Sequence, residues 1–62
     1  MARKLLSDVA SRVGGLWRIK GGKLVVIVDY HPSLPIIAPK DNPALRWGVP
    51  MFDLKRFATP VG

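Results

Sequence analysis

His31 is the chain's one histidine, and Asp29, two positions before it, makes with it the pair best spaced for acid–base work. On an extended backbone residues i and i+2 share a side, so a carboxylate and an imidazole at this spacing can hydrogen-bond. Nucleophilic catalysis would add Ser7, Ser11, Ser33 or Thr59, held beside that base in a cleft that excludes water. A chain of 62 residues has little core from which to build such a cleft. Asp8, Asp29, Asp41 and Asp53 are scattered, and the absence of cysteine removes both a disulfide staple and the usual structural zinc ligands. The expectation is a non-enzymatic protein with no cofactor, no metal and no small-molecule substrate.

Binding chemistry is better supplied. Lys20-Gly21-Gly22-Lys23 sets two glycines, whose amides can approach an anion closely, between two lysines. It lacks the longer glycine pattern and following helix of a nucleotide loop, so it reads first as a turn. Arginine sits beside an aromatic ring in Trp17-Arg18, Arg46-Trp47 and Arg56-Phe57, pairs that can stack on a base while the guanidinium meets phosphate. Arg18, Lys20, Lys23, Arg46 and Arg56 are therefore the expected contacts to an anion or nucleic acid. A second set, Leu34, Ile36, Ile37, Trp47, Met51, Phe52 and Phe57, has the aromatic, methionine and aliphatic character of protein interfaces, and is the expected partner-docking set. Pro32-Ser33-Leu34-Pro35 carries a PxxP spacing, but no basic residue lies beside it to give specificity.

The charge balance agrees with an anionic partner. Ten Lys and Arg against four Asp give +6 and a pI near 10.6, which favours nucleic acid, anionic lipid or an acidic protein surface. At 48% hydrophobic the chain is too apolar for ordinary disorder, so it is expected to become ordered, alone or on a partner. Leu24–Val28 is stopped by Asp29, and Ile36-Ile37 by flanking prolines. No transmembrane segment is expected, nor a secretory signal, because the apolar h-region is absent. The expected location is intracellular or within an assembled particle.

Three elements must position these residues. Residues 3–13 put Leu5, Leu6, Val9 and Val13 on one side of a helical wheel, and Gly14-Gly15 ends the helix. Leu16–Lys20 and Lys23–Tyr30 form a hairpin around a two-residue Gly21-Gly22 loop, which sets Lys20 opposite Lys23 and Trp17 opposite Val26. One face of that hairpin carries Trp17, Ile19, Leu24, Val26, Val28 and Tyr30; the other carries Leu16, Arg18, Lys20, Lys23, Val25, Ile27 and Asp29. Five of the six prolines, at 32, 35, 39, 43 and 50, then read as an extended segment, since proline lacks the amide that a central strand needs. Asp41-Asn42-Pro43 could start a single helical turn, and Asp53 could cap a short helix over Leu54–Ala58 with Phe52 and Phe57 as its hydrophobic staple.

The fold class that results is small α+β: an N-terminal amphipathic helix and a two-stranded β-hairpin over residues 1–30, then an extended Pro-rich docking arm over 31–62 that is not an independent domain. The function expected of it is that of a small basic structural or accessory subunit of a larger protein assembly, such as a virion, a ribonucleoprotein or a multisubunit complex. In that reading the arm straps neighbouring subunits. The alternative is a free-standing regulator that binds nucleic acid through the basic hairpin face. A membrane surface ranks behind both, because the apolar stripe of the helix is short.

Overall fold

The computed structural model describes residues 6–62. It is a small α+β fold in which α1 (Leu6–Ala10) leads into β1 (Leu16–Ile19), β2 (Leu24–Tyr30), β3 (Pro35–Pro39), β4 (Trp47–Gly48), α2 (Met51–Phe57) and β5 (Ala58–Pro60). All strands belong to one antiparallel sheet in the order β4-β3-β2-β1-β5. The first four make a meander. From its far edge α2 carries the chain back across the sheet, and β5 pairs with β1. The expected two-stranded hairpin is thus the middle of a five-stranded sheet. Of the expected helix over 3–13, Arg3, Lys4 and Leu5 lie outside the described residues, and the observed helix ends at Ala10, three residues short of Val13.

The β1–β2 register differs from the expected one by a single residue. Leu16 pairs with Val26, Trp17 with Val25 and Arg18 with Leu24. Ile19 N–H donates to Lys23 O at 2.8 Å, and Gly22 N–H to Ile19 O at 3.0 Å, so the loop is Lys20-Gly21-Gly22. Gly21 and Gly22 take φ of +95° and +84°, a region that side chains disfavour. Because side chains alternate with period two, the one-residue slip moves Val25 and Ile27 to the core face and turns Leu24 and Val26 outward. Before β1, Gly14 and Gly15 extend the ladder to Ile27, through Gly14 N–H to Ile27 O (2.7 Å) and Ile27 N–H to Gly15 O (3.0 Å). A Cβ on Gly15 would stand 1.7 Å from the Ala10 carbonyl oxygen, so only glycine lets the end of α1 sit this close to the strand.

The proline-rich half does not extend away as an arm; it joins the sheet and core. Lys40 N–H donates to Leu24 O at 3.0 Å, which makes 24–40 a hydrogen-bonded pair and the adjacent Val25–Pro39 a non-hydrogen-bonded one. The amide that Pro39 lacks would point away from β2, towards β4, which spans only Trp47–Gly48 and does not reach it. Pro35 accepts from Val49 N–H at 3.0 Å and forgoes only the return bond at this short edge. Val61 N–H donates to Leu16 O at 2.8 Å, so the missing donor of the adjacent Pro60 faces off the free edge of β5. The strand prolines therefore sit where a ladder loses little.

Core residues come evenly from both halves. Ala10, Trp17, Val25 and Ile27 meet Ile37, Val49, Leu54 and Ala58 in one cluster, with Ile19, Tyr30 and Met51 packed against it. Trp17 is fully buried, and its indole N–H donates to Ala10 O at 2.8 Å, which satisfies its polar atom and ties α1 to the sheet. Tyr30 reaches the same segment with its hydroxyl donating to Ser11 O. The radius of gyration is 11.1 Å, close to the ~10.6 Å that a folded chain of this length should show.

Two further local expectations change. Asp41-Asn42-Pro43 lies in tandem turns closed by Asn42 N–H to Pro39 O (3.0 Å) and Leu45 N–H to Asn42 O (3.1 Å), not in a helix. The second helix begins at Met51 after Pro50, with no side-chain cap, rather than at Leu54 after Asp53. That earlier start puts Asp53 in the first turn and Lys55 and Arg56 in the last, where each charge suits the helix dipole. Among the described residues no helix is long and apolar enough to cross a membrane.

Candidate functional site

Both helices cover the same face of the sheet, since Ala10 and Leu54 join Trp17, Val25, Ile27 and Ile37 in the core. On the opposite face, Leu16 lies across from Val26 and Val26 across from Ala38, with Leu24 and Ile36 on neighbouring rows. Leu16, Leu24, Val26 and Ile36 are half-buried, and Ala38 is fully buried between its neighbours. Leu34 adds to this surface by lying over Gly48: a Cβ there would come within 2.6 Å of Leu34 Cδ2 and 3.3 Å of Ile36 Cδ1. Arg18, paired across the strands with Leu24 on one side and Thr59 on the other, supplies a cation on the same face. The result is an aliphatic surface that no helix among the described residues covers.

A second concavity lies at the end of the sheet where the β1–β2 and β3–β4 loops meet, reached by Leu24 of the outer face as well as by core-side residues. It is a groove of about 820 Å³ with Ile19, Val25 and Pro39 among its apolar lining. Trp47, 42% exposed, lines it as well, and Lys23, Lys40, Asp41 and Asn42 complete its polar part. Arg46 is exposed next to Trp47, with its Nε donating to Pro43 O at 3.3 Å.

The expected docking residues are dispersed over several surfaces. Leu34 and Ile36 lie on the outer face, whereas Ile37 is fully buried and serves the core. Trp47 borders the groove. Met51 packs against the core and its sulfur accepts the Ser11 hydroxyl at 3.9 Å, while Phe52 and Phe57 are exposed on α2 at 66% and 43%. The expected anion contacts are all exposed but do not share one face. Arg18 is on the outer face, Lys20 in the loop and Lys23 at the groove, while Arg56 lies 3.9 Å from Asp53 across one turn of α2. Lys40, absent from the sequence-based set, is brought to the groove beside Lys23 by the antiparallel pairing of β2 and β3.

The Asp29–His31 pair is engaged otherwise. Asp29 Oδ1 accepts Tyr30 N–H at 2.8 Å, and His31 is exposed in a turn closed by its own N–H to Leu34 O at 2.9 Å. Among the described residues no group of three or more His, Cys, Asp or Glu could hold a metal ion. Burial raises the pKa of the Tyr30 phenol above its ordinary 10.0, in keeping with a structural hydroxyl rather than a proton carrier. Compared with known proteins, the chain matches no family model, no curated protein and no solved structure.

Proposed function

We propose that the protein is a non-enzymatic, small basic accessory or structural subunit that docks into a larger protein assembly, within a cell or an assembled particle. The observation that carries this reading is the uncovered outer face of the sheet, where Leu16, Leu24, Val26 and Ile36 remain half-exposed beside Leu34. A sheet with both faces apolar needs a layer on each, and the described residues supply only one. The occupant proposed for the second layer is the apolar surface of a neighbouring subunit. Residues 31–62 are committed to the sheet and core, so this surface, rather than an extended strap, makes the contact.

Val26→Glu tests the reading by setting a charge at the centre of that face. Tagged wild-type chain in its native host should migrate in a complex far larger than 6.8 kDa, and the Val26→Glu chain should move to the free pool while retaining its circular dichroism spectrum. Ile36→Lys provides a second probe should Val26→Glu unfold. A folded variant that stays in the large complex would refute the outer face as the docking surface.

A further inference from the structure

We infer that the groove at the loop end of the sheet is a binding site for single-stranded nucleic acid, with Trp47 as the stacking surface and Lys23 and Lys40 as phosphate contacts. This goes beyond the subunit reading and uses the loop end of the sheet, which shares only Leu24 with the outer face.

The argument begins with what the groove offers together. Its volume of about 820 Å³ falls within the ~300–1,000 Å³ typical of ligand sites. Ile19, Leu24 and Pro39 provide apolar surface, and Trp47 adds a half-exposed indole, so a planar apolar ring would gain both burial and stacking. Two lysines stand at the same concavity against one acidic side chain, Asp41, and Arg46 adds a further cation next to Trp47. A ligand that alternates flat rings with negative charge satisfies both demands, and a nucleic-acid strand is built that way.

Strandedness follows from the same geometry. A base paired in a duplex is stacked on both faces and cannot turn into a concavity beside Trp47; a base in a single strand can. Lysine ammonium groups act as point charges without the bidentate geometry that reads base edges, so tolerance of sequence is expected. A purely acidic peptide would match Lys23 and Lys40 but would hold hydrated carboxylates against Ile19, Leu24 and Pro39, which favours the nucleic acid. The polar Asn42 at the groove gives a base edge one amide with which to hydrogen-bond.

The test uses the full chain with a dye-labelled 12-nucleotide oligo(dT), a duplex of equal length and poly-glutamate as competitor. Trp17 is fully buried, so quenching of tryptophan fluorescence on binding reports on Trp47. The oligo(dT) should bind with quenching, more tightly than the duplex, and Trp47→Ala should weaken it by about tenfold at every salt concentration. Lys23→Ser and Lys40→Ser should each lower the slope of log K against log salt by about 0.7. Thermal unfolding of each variant confirms that the fold persists. Equal affinity for duplex, unchanged affinity in Trp47→Ala, or displacement by poly-glutamate at equal charge would overturn the inference. Val26→Glu, which tests the outer face, should leave oligo(dT) binding intact, so each proposal can fail without the other.

Discussion

Residues 16–30 and residues 31–62 contribute to the same sheet by opposite means. The first half is an apolar, β-branched hairpin whose strands are plain in the sequence. The second holds every proline of the chain and looks unable to pair, yet it supplies β3, β4, α2, β5 and the core side chains Ile37, Val49, Leu54 and Ala58. What separates a proline that breaks a sheet from one that a sheet tolerates is the direction of its missing amide. At Pro39 and Pro60 that direction leads away from the paired strand, and at Pro35 it leads towards a two-residue edge. Composition reports how many amides are absent; pairing parity decides whether their absence matters.

If the two halves share one core, truncating either should cost alike. Trp17→Ala in the first half should lose ~3–5 kcal/mol, and Ile37→Ala or Leu54→Ala in the second ~2–5 kcal/mol. A core this small supplies roughly 3–5 kcal/mol in total, so urea titrations should find all three variants largely unfolded. Wild-type midpoints for Ile37→Ala and Leu54→Ala would break the equivalence and detach the second half from the core.

A smaller effect comes from the join between α1 and the sheet. Burial holds the Tyr30 phenol above its ordinary pKa of 10.0, so on raising the pH the unfolded chain releases this proton before the folded one. The contribution is complete below about pH 10 and is lost as the pH rises through the folded value, so stability should fall on the alkaline side. Tyr30→Phe should remove that part of the alkaline decline and, by deleting the bond to Ser11 O, cost ~0.5–1.5 kcal/mol near neutral pH. Parallel melting curves of the two proteins from pH 7 to 11 provide the check; an identical alkaline slope would sink the assignment.

The smallest effect should be at Pro39. An alanine there regains an amide with no strand to receive it and loses the restriction that proline imposes on the unfolded chain, worth ~0.4–1 kcal/mol. Pro39→Ala should therefore melt slightly below wild type. A clear rise in stability would mean that the restored amide does find a partner, contrary to the pairing parity.

Several of these features were readable in advance, and the reasons for the rest are specific. The strands of the hairpin and the small α+β class follow from local chemistry, whereas the helix ends at Ala10, before the expected stop at Gly14-Gly15, because those glycines pair with Ile27 instead. Register did not, because Leu24–Val28 is apolar at every position and both registers give an apolar face; only the choice between a two- and a three-residue loop separates them. The helix start at Met51 was hidden by the absence of a side-chain cap, which left Asp53 as the more attractive signal. The groove was least legible of all. Lys23 and Lys40 are seventeen positions apart, and they meet only through the β2–β3 pairing, so no local motif could announce them.

Amide hydrogen exchange on the free chain tests most directly whether the proline-rich half is folded structure or a strap awaiting a partner. The hydrogen-bonded amides of Ala38 and Lys40 in the second half should exchange as slowly as those of Ile19 and Ile27 in the first, since one cooperative unit opens as a whole. Exchange of Ala38 and Lys40 at the rate of an unstructured chain, with Ile19 and Ile27 still protected, would contradict the account and return residues 31–62 to the role of an extended arm.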